Sequence, residues 1–140
     1  MKKKKYLNNK RERSFNTSKN IFKSFEYAFS GITYCLRYTR NFKIQIFFAI
    51  LSLIFALFLN FKNNEFIILI ATIFLVLILE LLNTAIESLV DLMVEKKYDK
   101  LAKISKDCSA ASVLLASINS IFVAAYLFFP KIKIIISNFK

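Results

Sequence analysis

The segment FIILIATIFLVLILELLNTAIESLVD, from Phe66 to Asp91, decides the fold of this chain. Its first part, Phe66 to Leu82, is almost wholly apolar and approaches the roughly 20 residues with which an α-helix spans the hydrocarbon core of a membrane. Its second part becomes polar without a glycine or proline that would end a helix. The segment therefore predicts a membrane helix over residues 66–86 that continues into a more polar extension.

Two further apolar stretches flank this segment. One covers residues 42–61 and contains IQIFFAILSLIFALFL, and the polar break FKNNE after it predicts a tight turn. The other covers residues 108–129 and ends before Pro130, and it carries several serines and alanines that let membrane helices pack closely. The chain has one glycine and one proline, which also favours long helices. We therefore predict an all-α integral membrane fold with three transmembrane helices.

The N-terminal part of the chain has a different pattern. Residues 1–20 are basic and lack apolar periodicity, which predicts a disordered tail. Residues 21–40 predict an amphipathic helix in the membrane interface, and a helix packed on a protein core is the alternative. Residues 131–140 are expected to form a C-terminal tail. The apolar positions of the interface helix recur every three or four residues: Ile21, Phe22, Phe25, Phe29, Ile32 and Leu36.

The charge is strongly asymmetric along the chain. The net charge is +12, and 12 of the 21 basic residues lie between Lys2 and Lys43, beside the first membrane segment. Basic runs next to a membrane helix bind anionic lipid head groups and mark the cytoplasmic side. We therefore expect a cytoplasmic N-terminus, the turn at Lys62 on the far side, and the connection between residues 87 and 106 in the cytoplasm. Nucleic acid is not the partner that this distribution indicates.

Composition also excludes several kinds of chemistry. The chain contains no histidine, so any proton transfer must use Asp, Glu, Lys or Tyr. A single glycine, Gly31, cannot build the glycine-rich loop of a P-loop or protein-kinase site. Cys35 and Cys108 stand far apart and are expected to be free thiols.

One helix face carries most of the acidic residues of interest. At about 100° per residue, Glu80, Asn83, Glu87 and Asp91 fall within an arc of about 80°. Glu80 follows the apolar run FLVLIL directly, and a carboxylate at that depth costs a few kcal/mol or more, so it is expected to face the protein interior. Such an acid predicts a functional site. The alternative is a structural polar contact, for example with Asn83.

A second cluster, KDCSAA at residues 106–111, opens the third apolar stretch. A helix N-terminus there would present free backbone amides to a phosphate, and Lys106 would add a positive charge. Asp107 fits the N-cap of that helix, and Lys106 alone could simply extend its amine towards the interface. Carboxylates able to hold Mg²⁺ together with a lysine at one membrane boundary suggest phosphoryl transfer.

These motifs resemble those of a known family. ELLNTAIESLVD (residues 80–91) followed by KDCSAASVLL is similar to the signature of the small prokaryotic diacylglycerol kinases and undecaprenol kinases. FEYAFSGI (residues 25–32) and NFKIQ (residues 41–45) match the same family. The resemblance implies a kinase that uses ATP and Mg²⁺ in the bacterial inner membrane, with a lipid kinase domain over residues 21–130. It also implies a homotrimer with sites between subunits.

The resemblance further implies roles for particular residues. Glu80 is expected to be the general base and Asn83 to position the reacting groups. Glu87 is expected to bind the metal, but the family's second metal-binding glutamate is Thr39 here, and a neutral hydroxyl is a poorer ligand for Mg²⁺. The remaining nucleotide contacts implied by the family are Tyr27, Lys106 and Asp107.

The sequence leaves the substrate and the extent of activity open. We expect an undecaprenol kinase in preference to a diacylglycerol kinase, on the resemblance alone. Because of Thr39, a catalytically weakened protein that keeps the fold and only binds lipid is a second reading. A pore or transporter subunit is a third reading. It is disfavoured because Glu80 is the only acid flanked by apolar residues, so an ion path would have no second charged group to relay to.

Overall fold

The computed structural model describes residues 21–95 and 97–138, without the side chain of Asn138. The predicted N-terminal tail lies outside the described residues. All regular structure in the described part is helical: α1 is Ile21–Tyr38, α2 is Arg40–Phe58, α3 is Asn63–Val94 and α4 is Lys100–Asn138. Helices α2, α3 and α4 are each long and apolar enough to cross a membrane. The prediction of an all-α membrane fold with three spanning helices is therefore confirmed.

Helix α3 is the centre of the arrangement. It packs against α4 along much of its length, and it also contacts α2 and α1. Helix α1 contacts α2 as well, and only Thr39 separates these two helices. Residues from three helices can therefore meet around the middle of α3.

The turn between α2 and α3 has clear local causes. Asn60 adopts a left-handed backbone with φ 50°, a conformation that asparagine tolerates better than most residues. The Glu65 carboxylate accepts a hydrogen bond from the backbone N–H of Lys62 at 2.6 Å, which satisfies a free amide at the start of α3. Helix α2 consequently ends at Phe58, earlier than residue 61, and α3 begins at Asn63, earlier than residue 66.

Helix α3 continues beyond residue 86 as the predicted polar extension and reaches Val94. Its last turns, through Val94, are polar but contain no helix breaker, and Val90 is buried at 9% exposure. The helix ends where Glu95 adopts a left-handed backbone with φ 49°. The extension keeps Glu87 and Asp91 on the same rigid element as Glu80.

Helix α4 corrects the boundaries expected for the third membrane helix. It begins at Lys100, where the Asp99 carboxylate accepts a hydrogen bond from the N–H of Ala102 at 2.8 Å. The expected end at Pro130 is wrong, because the helix continues to Asn138 and contains Pro130. A proline removes one intrahelical hydrogen bond but does not stop a helix that is otherwise supported. Most of the expected C-terminal tail is therefore helical.

A small apolar core closes the end of the molecule that holds the α2–α3 turn. It contains Ala56, which is fully buried, together with Phe61, Leu69 and Leu127. The ring of Phe61 packs on that of Phe128 with centroids 4.8 Å apart. Beside it, Lys131 of α4 forms an ion pair with Glu65 of α3 at 3.0 Å. These contacts join all three long helices at this end.

Most large apolar side chains on the long helices face outwards. Phe58 of α2 is 78% exposed and Phe122 of α4 is 70% exposed. Such surfaces are expected where hydrocarbon, and not water, surrounds the helices. Hydrophobic burial against water therefore contributes little between these helices, and close packing of small residues becomes more important.

Ala56→Leu should destabilise the protein, because the fully buried methyl group leaves no space for a larger side chain. Overpacking of this kind typically costs about 1–3 kcal/mol. Thermal unfolding in detergent would measure the loss. Ala125→Leu, which adds the same atoms on an exposed face of α4, should leave the transition unchanged. Equal transitions for the two variants would contradict the packing described above.

Candidate active site

Glu80 lies in the middle of α3 and is buried, with 3% exposure. Gln45 of α2 donates a hydrogen bond from Nε2 to Glu80 Oε2 at 3.0 Å. A buried carboxylate requires such a partner. The partner of Glu80 is thus on another helix. The alternative to a functional site that the sequence left open, a structural contact between Glu80 and Asn83, is not the contact that is observed.

Asn83, one turn further along α3, connects α3 to α4. Its Nδ2 donates to Glu87 Oε1 at 3.1 Å, and its Oδ1 accepts from the hydroxyl of Ser109 at 2.6 Å. Asn83 and Ser109 are both buried. This chain of hydrogen bonds fixes the orientation of the amide and holds the Glu87 carboxylate on the same side of α3.

A cavity of about 370 Å³ lies beside these residues. Polar groups on α3 form one wall, and apolar residues of α4 form the opposite wall. The cavity brings together three of the predicted site residues with a polar residue from each end of the α2 segment NFKIQ. Its polar lining consists of Asn41, Gln45, Glu80, Asn83, Glu87 and Ser117.

Lys106 and Asp91 form an ion pair next to this site, with Nζ 2.7 Å from Oδ1. The two side chains are 36% and 50% exposed, so solvent screens the pair and it contributes little to stability. Lys106 does not line the cavity. A weak, accessible pair of this kind can be replaced by another anion, such as a phosphate.

The expected helix N-terminus at Lys106 is wrong. Helix α4 begins at Lys100, so Asp107 lies in its third turn and Asp99 takes the capping position. Only the first four amides of a helix are free, so the amides around Lys106 cannot bind a phosphate. The side chains of Lys106 and Asp107 remain available for the predicted nucleotide contacts.

Two other predicted residues lie outside the cavity. Tyr27 is 57% exposed on α1 and does not line it. Thr39 stands between α1 and α2, where its hydroxyl donates to the carbonyl of Cys35 at 2.8 Å. Within the described residues, neither side chain forms a hydrogen bond with Glu80 or Glu87. Their roles in nucleotide and metal binding stay predictions.

The carboxylates of one chain do not form a metal-binding cluster. Within residues 21–95 and 97–138, no three acidic or cysteine side chains come together as ligands. Glu87 has one carboxylate oxygen engaged by Asn83 and a second that no hydrogen bond within the site occupies. Mg²⁺ is commonly held by one or two carboxylates together with phosphate oxygens. Glu87 therefore fits a magnesium ion that arrives with a nucleotide, as one ligand among several.

Sequence reasoning missed two residues of the site. Gln45 appeared only as the last residue of the family-matching segment NFKIQ, and Ser109 only among the serines and alanines expected to favour close helix packing. Gln45 interrupts the apolar run IQIFF, which is a signal that could have identified it. Nothing in the sequence distinguishes Ser109 from the other serines of α4.

Comparison with known proteins agrees with this picture. The family model for prokaryotic diacylglycerol kinase matches residues 26–128. The chain is 42% identical over 120 residues to a diacylglycerol kinase of Synechocystis, covering 86% of this chain and 69% of that protein. It is 36% identical over 117 residues to an undecaprenol kinase of Bacillus subtilis, covering 84% and 94%. An Escherichia coli diacylglycerol kinase is 31% identical over 98 residues, covering 70% and 80%.

A membrane-spanning helical fold together with these matches defines a membrane lipid kinase, and kinase chemistry implies ATP as the phosphate donor. The chain belongs to the prokaryotic diacylglycerol kinase family. The resemblance noted in the sequence is therefore confirmed, whereas the roles of individual residues stay predictions.

Ser109→Ala should lower both stability and activity, because it leaves the buried Asn83 Oδ1 without its donor. An unsatisfied buried acceptor costs about 1–3 kcal/mol. Thermal unfolding and phosphoryl transfer to lipid would measure the two effects. The control is Ser112→Ala, whose hydroxyl donates only to the carbonyl of Ser109. If Ser109→Ala behaved like this control, the α3–α4 hydrogen bond would not organise the site.

Proposed function

We propose that this protein transfers the γ-phosphate of ATP to the hydroxyl of undecaprenol, at the cytoplasmic face of the bacterial inner membrane. The observation that carries the proposal is the buried carboxylate of Glu80 on the wall of a cavity between membrane-length helices. A base at this depth can meet the hydroxyl of a lipid that stays in the bilayer. A water-soluble acceptor would not require it there.

In the proposed reaction, Glu80 accepts the proton of the lipid hydroxyl. The hydroxyl oxygen forms a bond to the γ-phosphorus, while the bond from that phosphorus to the bridging oxygen breaks and its electron pair leaves with ADP. Glu80 Oε2 is held by Gln45, so the other oxygen of the carboxylate is the one free to take the proton. Asn83 keeps Glu87 in place and acts as a positioning residue.

Charge on the phosphates must be neutralised during transfer. Mg²⁺, when bound, would supply this neutralisation, with Glu87 as its carboxylate ligand on the protein. The amine of Lys106 would exchange Asp91 for phosphate oxygens, which the exposed ion pair permits. Tyr27 and Asp107 are the further nucleotide contacts that we propose, with residues 21–130 as the kinase domain.

We also propose that the active form is a homotrimer. Tyr27, Thr39 and Asp107 do not reach the cavity of their own chain. Their exposed or partly exposed positions leave them available to a neighbouring copy, so a site between subunits would bring them to the nucleotide. The basic N-terminal segment favours a cytoplasmic N-terminus, and the site would then lie on the cytoplasmic side as well.

Two other functions have specific support. The first is a diacylglycerol kinase, which the 42% identity to the Synechocystis diacylglycerol kinase favours. Against it, the match to the Bacillus subtilis undecaprenol kinase covers 94% of that protein and favours the proposed substrate, undecaprenol. The second is a catalytically weakened protein that keeps the fold and only binds lipid. Thr39 supports it, because its neutral hydroxyl is a poorer ligand for Mg²⁺ than a carboxylate and already donates to the carbonyl of Cys35.

Glu80→Gln should reduce phosphoryl transfer by about 10²- to 10⁴-fold, because general bases contribute that much and the amide cannot take a proton. The measurement is transfer of ³²P from labelled ATP to undecaprenol and diacylglycerol by purified protein with Mg²⁺. Glu65→Gln, on the same helix but at the α2–α3 turn, is the matched control and should keep the activity. A Glu80→Gln protein that works at the original rate would refute the assignment of the base.

Thr39→Glu should lower the Mg²⁺ concentration needed for half-maximal activity, because a second carboxylate is a better ligand than a hydroxyl. Titration of the same assay with Mg²⁺ would measure the change, and Thr33→Glu on an exposed face of α1 controls for added charge. An unchanged requirement would show that position 39 does not reach the metal. Activity that appears only in the Thr39→Glu variant would identify the natural chain as the weakened form.

A further inference from the structure

The side-chain amide of Gln45 is only half satisfied. Its Nε2 donates to Glu80 Oε2 at 3.0 Å. Its Oε1 is buried and has no hydrogen-bond partner among the described residues. A buried polar atom left without a partner costs about 1–3 kcal/mol, so its presence needs an explanation.

Turning the amide over does not remove this cost. The reversed amide would turn the carbonyl oxygen of Gln45 towards Glu80 Oε2 and lose the one hydrogen bond that the buried Glu80 side chain accepts. In the observed orientation the amide N–H donates to the carboxylate oxygen, as the chemistry of the two groups requires. The atom that remains open is therefore an acceptor, and it calls for a hydrogen-bond donor from a bound molecule.

The position of Gln45 indicates what kind of molecule supplies the donor. Gln45 lines the polar cavity that holds Glu80, Asn83 and Glu87. It also lines an adjoining cavity of about 480 Å³ whose walls are mainly apolar. Ile44 and Ser117 are shared by the two cavities as well. The amide thus stands where an apolar space joins the site of the reaction.

The apolar cavity has the shape that a hydrocarbon chain requires. Along α3 it reaches from Leu77 to Leu69, and Glu80 lies 11 residues from that far end, which is about 16 Å at 1.5 Å per residue. Its four hydroxyl-bearing residues do not offer free donors, since each donates to a carbonyl of its own helix: Ser52, Thr72, Ser117 and Ser120. A ligand that extends through both cavities is therefore apolar along its length and polar at the end beside Gln45.

We propose that Gln45 is a positioning residue whose Oε1 accepts a hydrogen bond from the hydroxyl of the lipid substrate, while the hydrocarbon chain of that lipid lies in the apolar cavity. This inference rests on the proposed function. The same amide then holds both reactants: N–H fixes the Glu80 carboxylate, and C=O holds the alcohol beside it. The hydroxyl proton leaves Gln45 for Glu80 when the oxygen attacks phosphorus.

The test compares binding of farnesol, a short prenyl alcohol, with binding of farnesyl methyl ether, which cannot donate a hydrogen bond. Displacement of a fluorescent prenyl probe from the full-length protein, without ATP, would measure both affinities. The wild type should prefer the alcohol by about 3- to 10-fold, the range of one hydrogen bond. Gln45→Met should bind both equally, and Lys43→Met, the same change at an exposed position of α2, should keep the preference.

Glu80→Met separates this role from a purely structural one, because methionine gives the alcohol no oxygen acceptor and gives the Gln45 carbonyl no donor. If Gln45 acts only by holding Glu80, the preference for the alcohol would disappear in Glu80→Met; we expect it to persist. A preference that survives in folded Gln45→Met, or is absent from the wild type, would overturn the proposal. Gln45→Leu provides the same comparison where Gln45→Met is not recovered folded. Because binding needs no ATP, a preference dependent on Gln45 in a protein without kinase activity would refute the proposed function and leave this inference standing.

Discussion

The arrangement of the helices depends on one constraint: a polar group inside a membrane protein must find its partner within the protein. Glu80 meets this constraint through Gln45, and Asn83 meets it through Ser109. The first contact joins α3 to α2, and the second joins α3 to α4. Apolar side chains fix the rotation of one helix against another less strictly than these hydrogen bonds do, because lipid tails contact them almost as favourably as a neighbouring helix does. Two hydrogen bonds three residues apart on α3 therefore fix how both neighbouring helices face it.

The two ends of the bundle have different roles as a consequence. At the α2–α3 turn, aromatic rings and the Lys131–Glu65 ion pair bring the helices together. Towards the other end, the partners are polar and include small side chains such as Ser109, and a cavity remains between α2, α3 and α4. The closed end provides rigidity, and the open end provides space for chemistry. A continuous α3 transmits that rigidity directly to Glu80, Asn83 and Glu87.

The sequence predicts those features that depend on local pattern. Helical periodicity is sufficient to place Glu80, Asn83 and Glu87 on one face, and the length of each apolar run is sufficient to identify three spanning helices. The helix boundaries could not be predicted from local pattern in the same way. Asp99 and Asp107 are both residues that can cap the start of α4, and in the structure Asp99 does so. The pairing of Gln45 with Glu80 depends on the register between two helices, which the turn at Asn60 sets. The continuation of α4 through Pro130 likewise depends on support from packing.

The charges along α3 bear on how a nucleotide could bind in the proposed reaction. Glu80, Glu87 and Asp91 place three carboxylates along one side of α3, and the ion pair of Lys106 with Asp91 offsets only one of them. These carboxylates repel the phosphates of a nucleotide, which opposes binding unless cations come with it. Mg²⁺ at Glu87 would bring part of that charge, and basic residues of a neighbouring subunit would bring the rest. In the proposed mechanism, a site with these carboxylates would require a divalent cation more strictly than one built on lysine and arginine. A threonine at position 39, where the resemblance implies a glutamate, would lower the negative charge and remove a carboxylate ligand.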